Sequence, residues 1–201
     1  MIRFQMEIDS ISDYQRGNLP AGAIRLNTPT TADTMKKSVP IMVIICVLMN
    51  IAVFYRFISC KEFSLSLLSL TGIAAGCAVG FALLIVHELL HAIVYPKDAE
   101  VTVGKRKGRL LFTALASYPL SRPRFFVMCL LPFLLGILPL MLFLCGAPSH
   151  DFLNFFWFGM ACIGMVSPSV DVYNVLTVRK QSKLTDRIMF YEEDIYRIAK
   201  E

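Results

Sequence analysis

Charged side chains are scarce, at 17% of residues, and several long stretches carry none, whereas 56% of residues are hydrophobic and the mean hydropathy is +0.59. So little charge beside so much apolar surface excludes an ordinary soluble globule and predicts a membrane protein. The six cysteines, Cys46, Cys60, Cys77, Cys129, Cys145 and Cys162, include no C-x-x-C pair, so they read as small apolar packing residues. Cys60 and Cys145 both fall near the outer face, where a disulfide stays open. The polar first 38 residues lack an apolar h-region, which leaves no cleavable signal peptide and makes the first span its own insertion signal. Histidine is rarer than cysteine: only His87, His91 and His150 are present.

Four segments are apolar over the roughly 20 helical residues that a hydrocarbon core of about 30 Å requires. They are Val39 to Phe57, Leu65 to Tyr95, Phe125 to Ala147 and Phe152 to Val178. The second and fourth are longer than needed, so their cytoplasmic ends project, tilt or line a wet cavity. Of the 20 Lys and Arg residues, the amino-terminal tail holds five, the outer end of the first span and the loop after it two (Arg56 and Lys61), the central loop seven, the loop after the third span none and the carboxyl tail six. The positive-inside rule then puts both termini and the central loop in the cytoplasm. This topology and attraction to anionic headgroups account for the net charge of +5, so no nucleic-acid partner is expected.

The predicted fold class is therefore an all-α polytopic membrane protein with four transmembrane helices. Residues 1–38 read as a cytoplasmic tail of short strands or irregular cap, since Gly17, Pro20, Gly22 and Pro29 oppose one continuous helix. Residues 39–178 form the membrane domain. Within it, Glu100 to Val103 and Leu110 to Thr113 flank the basic turn Gly104 to Gly108, predicting a short β-hairpin between the second and third spans that touches headgroups or handles substrate. Residues 179–201 are predicted as an amphipathic cytoplasmic helix, from the spacing of Leu184, Ile188, Met189, Tyr191, Ile195 and Ile198.

Against this apolar background stands His87-Glu88-Leu89-Leu90-His91. A helix places residues i and i+4 on one face, so two imidazoles one turn apart can share one zinc ion while the glutamate serves as general base. A catalytic zinc usually takes three protein ligands, and a third must come from elsewhere. His150 lies in the predicted outer loop, at the wrong face. Asp171 is the only acidic residue inside the fourth span and follows Ser167-Pro168-Ser169. Counting at about 1.5 Å per residue, His87, His91 and Asp171 all fall roughly 6 to 12 Å inside the cytoplasmic ends of their helices, which makes Asp171 the third candidate. A carboxylate there is costly without a compensating cation. Pro168 opens the helix just before it or merely kinks it. The plainer reading of His87, Glu88 and His91 is a buried polar cluster without metal, on an ion path through the bundle.

These residues, with a strand-rich loop after the motif, an intervening span and an Asp in the last span, resemble the core of the site-2 protease superfamily of intramembrane metalloproteases. A closer likeness is to a small bacterial family of four-span "putative zincin peptidases", in which H-E-L-L-H-A, a Pro-Phe in the next span and a serine-rich stretch before an Asp recur. Here these are His87 to Ala92, Pro132-Phe133 and Ser167 to Asp171, and the resemblance covers roughly Val39 to Val178. It implies that His87, His91 and Asp171 bind one zinc, that Glu88 activates water, and that the protein sits in a bacterial plasma membrane. Where site-2 proteases carry Asn-Pro-x-x-Asp-Gly, this chain reads Ser167-Pro168-Ser169-Val170-Asp171-Val172, keeping the proline and aspartate but not the asparagine and glycine. No PDZ domain is evident, so a membrane-protein or peptide substrate would be selected by the core and tails. The expected activity is zinc-dependent peptide hydrolysis near the cytoplasmic face. The alternatives are a non-catalytic zinc scaffold and an ion transporter using the same polar cluster.

Overall fold

The computed structural model describes residues 1–8, 17–29, 31–60, 65–107 and 112–199. Four helical stretches are long and apolar enough to cross a membrane: Asp33–Ser59, Leu67–Ile93, Arg122–Cys145 and Asp151–Gln181. The first is the continuous helix α1 (Thr31–Ser59). The other three are interrupted. The second divides into α2 (Leu67–Ala82) and α3 (Leu84–Ile93), the third into α4 (Arg122–Leu130), a 3-10 turn (Leu131–Phe133) and α5 (Leu134–Cys145), and the fourth into α6 (Asp151–Val166) and α7 (Ser169–Gln181). Two of the breaks have a covalent cause, because Pro132 and Pro168 carry no N–H to continue the helical ladder.

The chain divides into two compact units, one of Val39–Leu84 and Pro132–Ser169, the other of Met1–Ser38, Ile85–Leu131 and Val170–Glu201. The first is helical. In it α2 and α6 approach at glycines: a side chain added to Gly72 would meet the backbone of Phe152 and Phe156, one at Gly76 the carbonyl of Phe156, and one at Gly159 the backbone of Ile73. Small residues let helix backbones come close where no hydrophobic effect drives association. Gly76→Leu must force these helices apart, and it is expected to destabilise the protein by about 2 to 3 kcal/mol, read as a lowered unfolding midpoint in detergent. Ile45 and Met49 of α1 pack with Ala161, and Phe143 packs with Phe155. Buried Arg56 donates to the carbonyls of Leu144 (3.1 Å) and Gly146 (2.8 Å), where a cation complements the end of α5. All six cysteines are free thiols, so Cys60 and Cys145 do not pair.

The second unit joins helix ends to two small sheets. β1 (Ile2–Ile8) runs parallel to β3 (Val101–Arg106), which pairs antiparallel with β4 (Phe112–Leu115), in the order β1-β3-β4. The turn expected between the last two lies partly in residues 108–111, outside the described residues. β1 comes close at Gly104, where a Cβ would lie 2.5 Å from the Gln5 carbonyl oxygen. The other sheet has the order β2-β7-β6-β5, from β2 (Ile24–Arg25), β5 (Leu120–Ser121), β6 (Arg187–Tyr191) and β7 (Asp194–Ile198).

The structure is thus mostly helical with two sheets, and the all-α expectation needs that correction. The expected carboxyl-terminal helix over 179–201 is also overturned. α7 ends at Gln181, and β6 and β7 pair antiparallel around Glu192-Glu193, with Glu192 at φ +53° making the reversal. Its residues are rich in β-branched and aromatic types, and Ile188 and Ile195 enter a core with Leu26, Leu120, Phe125, Met128 and Val178. Neighbouring strands decided what helical spacing alone could not.

Candidate metal centre

The described histidines divide by location. His150 occupies the position preceding α6 in the helical unit, whereas His87 and His91 lie on α3 of the sheet-bearing unit. The helical i, i+4 spacing brings the two α3 rings together edge to face, with centroids 4.8 Å apart, and both residues are buried. Their Nε2 atoms are 3.0 Å apart. Asp171 reaches the same point from the first turn of α7, its Oδ2 lying 3.5 Å from His87 Nε2 and 3.6 Å from His91 Nε2. The break at Pro168 matters here because it starts a new helix at Ser169, and a helix amino terminus favours a carboxylate in its first turn.

Three donor atoms thus form a triangle with edges of 3.0, 3.5 and 3.6 Å. A tetrahedral zinc about 2.0 to 2.1 Å from each nitrogen or oxygen donor sets them about 3.3 Å apart, so the donor set fits that ion in spacing as well as in chemistry. Glu88 lies beside it, and the candidate ligand atoms of His87, Glu88 and His91 are within 4.8 Å of one another.

Two backbone groups hold these side chains. The Met128 carbonyl accepts from His91 Nδ1 at 2.8 Å. A carbonyl can only accept, so Nδ1 carries a proton, and Nε2 is the ring atom that faces His87 and Asp171. That carbonyl is available because its usual helical partner would be the N–H of residue 132, which is proline. Pro132→Ala restores a competing donor. Zinc affinity, measured by titration against a chromophoric chelator, should fall about tenfold or more, the usual effect of losing an orienting contact behind a ligand. The second group is the backbone N–H of Ala114 in β4, which donates to Glu88 Oε2 at 2.7 Å. Since that N–H turns to α3, it is directed away from β3, against which Ala114 is paired with Val103. Sequence spacing pointed to neither group.

Behind the site, Leu89, Ala92 and Tyr95 pack against Val101, Val103, Ala114 and Ala116, which fixes α3 against the sheet. The turn after α3 is braced by Arg124 Nε, which donates to the Val94 carbonyl at 2.6 Å, and by the Tyr118 hydroxyl, which donates to Asp98 at 2.7 Å. The Tyr118 hydrogen bond holds the Asp98 carboxyl below its ordinary pKa and lifts the phenol above its own.

Fold and site together describe a chain with four membrane-length helices that carries a His-Glu-His cluster able to hold a metal ion. Residues 80–185 match the family described as "Putative zincin peptidase", and the chain belongs to that family. No curated protein and no solved structure matches.

Proposed function

We propose that the protein is a zinc-dependent metallopeptidase that hydrolyses peptide bonds of membrane proteins or peptides at or just within the cytoplasmic face of a bacterial plasma membrane. The observation that carries this reading is the triangle of His87, His91 and Asp171 donors with a tethered carboxylate beside it. His87 Nε2, His91 Nε2 and Asp171 Oδ2 would be the protein ligands of one zinc. Zinc in such a set supplies Lewis acidity and makes water a better nucleophile near neutral pH.

The remaining chemistry belongs to the chain. Glu88 takes a proton from the attacking water and returns it to the departing amine, so that the C–N bond breaks and acid and amine are released. The Ala114 N–H keeps that carboxylate at the site, and the Met128 carbonyl keeps His91 in one tautomer. β4 is an edge of its sheet, and an extended substrate segment added there would run past Glu88. A helical substrate hides its scissile bond, so it must unwind before it can pair.

The test is hydrolysis of a reporter with an unstructured juxtamembrane segment in proteoliposomes. Stripping the metal with phenanthroline should lower the rate about a hundredfold or more, and added zinc should restore it. Unchanged hydrolysis by metal-free protein would refute the proposal, and zinc binding without hydrolysis of any reporter would favour the scaffold.

A further inference from the structure

α1 carries an exposed amide at Asn50. Residues 38–55 have no charged side chain, and Asn50 holds the only side-chain amide among them. Counting about 1.5 Å per residue, it lies roughly 9 Å along the axis from Arg56 and roughly 20 Å from Lys37, so a side chain this short reaches neither end of the uncharged stretch. Its Nδ2 donates to the Cys46 carbonyl, one turn back, at 2.8 Å. The second amide N–H and the Oδ1 acceptor have no hydrogen-bond partner among the described residues. Where hydrocarbon replaces water such groups are costly, and asparagine side chains there hydrogen-bond across helices.

The position of Asn50 around α1 separates it from the stripe that docks this helix on its own chain. Ile45, Met49 and Arg56 are buried and share one face. At about 100° per residue, Val43, Val47, Asn50 and Phe54 form a second face centred about 150° from the first. Val43, Val47 and Phe54 are each more than half exposed. The intervals of four, three and four residues are those of a heptad seam, along which two helices interlock knobs into holes. Nothing else in the described chain covers that seam.

We infer that this seam is a self-association surface, on which α1 of a second copy packs in parallel with the two Asn50 amides hydrogen-bonded across a twofold axis. The amide itself argues for that occupant. It carries both donors and an acceptor, so it is its own complement. Copies of one sequence insert in the same orientation, and a residue at one depth therefore meets itself in a twofold pair. A different partner would need a polar group at that same depth, whereas a second copy always supplies one. Val47 and Phe54 flank the amide and would shield the bond from lipid, while a lone asparagine in an apolar seam fixes the register. The surface lies within the helical unit and does not depend on the peptidase reading.

The experiment measures energy transfer between donor-labelled and acceptor-labelled copies of the full-length protein in liposomes as lipid is added. In wild type, transfer should fall with dilution along a monomer–dimer curve. Asn50→Val should weaken the dimer about threefold to thirtyfold, the range of one interhelical hydrogen bond in a membrane, while Asn50→Gln, which restores an amide, should recover most of it. Cysteines then locate the face without altering Asn50. With the exposed Cys46 and Cys145 changed to Ala, oxidation should join two chains through Val47→Cys or Phe54→Cys severalfold more than through Ile44→Cys or Leu48→Cys, which are exposed but turned about a third of a turn away. A protein monomeric at every lipid ratio would overturn the inference. So would a dimer joined through positions 44 and 48, or one indifferent to Asn50→Val, since either would use a different contact. Crosslinks from position 47 to a different membrane protein alone would give the seam to that partner and have the same force.

Discussion

Zinc content should fall from about one per chain to near zero in His87→Ala, His91→Ala and Asp171→Ala, each measured by elemental analysis after metal loading and exchange into buffer, while Glu88→Gln retains it. Three donors on two helices leave no redundancy: removing one leaves two, and a buried pair cannot hold the ion against dilution. Asp171→Ala is the most informative variant, because it leaves the H-E-x-x-H motif intact. If it retains zinc at wild-type affinity, the third ligand lies elsewhere and the close approach of Asp171 to the two imidazoles is an ordinary ion pair. A wild-type protein that takes up no zinc would sink the metal reading altogether and direct attention to ion flux.

In Glu88→Gln the rate of peptide hydrolysis should drop about a hundredfold to ten-thousandfold, the usual range for a positioned proton-transfer group, while zinc affinity and melting temperature stay close to wild type. The amide keeps the size of the carboxylate and its carbonyl oxygen can still accept from Ala114 N–H, but it cannot accept a proton at neutral pH. A loss of rate without loss of metal assigns the proton transfer to this side chain. Undiminished hydrolysis would remove Glu88 from the mechanism, and a joint loss of metal and fold would give it a structural role instead.

The site was legible in the sequence where side chains alone specify it. His87, Glu88 and His91 were chosen from helical spacing, and Asp171 as a lone acid expected at a matching depth in the last span; the structure brings the three α3 side chains together and Asp171 within 3.5 to 3.6 Å of both imidazoles, and their role as ligands is what the zinc measurement decides. The backbone partners were not legible in the same way, because every residue has a carbonyl and an N–H. One signal was available: a proline at 132 frees the carbonyl four residues earlier, and that residue is Met128, behind His91. Nothing local marks Ala114, whose role depends on how β4 lies against α3. The four spans were readable from hydropathy, which depends on composition alone. The carboxyl-terminal strands were misread because Leu184, Ile188, Ile195 and Ile198 fit a helical face, whereas the chain reverses at Glu192-Glu193 so that β6 and β7 pair with each other and are flanked by β5 and β2, both distant in sequence.

The order in which the chain is made gives that pairing a temporal meaning. β1 must wait for β3, and β2 pairs Ile24 and Arg25 with Arg197 and Tyr196, about 170 residues later. At translation rates of about 5 to 20 residues per second, roughly ten to thirty seconds separate the two halves of that pair. α3 carries the first two metal-binding candidates, but α7 with Asp171, and the strands β6 and β7 after it, follow much later in the chain. A ribosome-bound intermediate that has made α3 but not α7 therefore holds His87, Glu88 and His91 without Asp171, so on the proposed reading the site would stay incomplete until that residue has emerged.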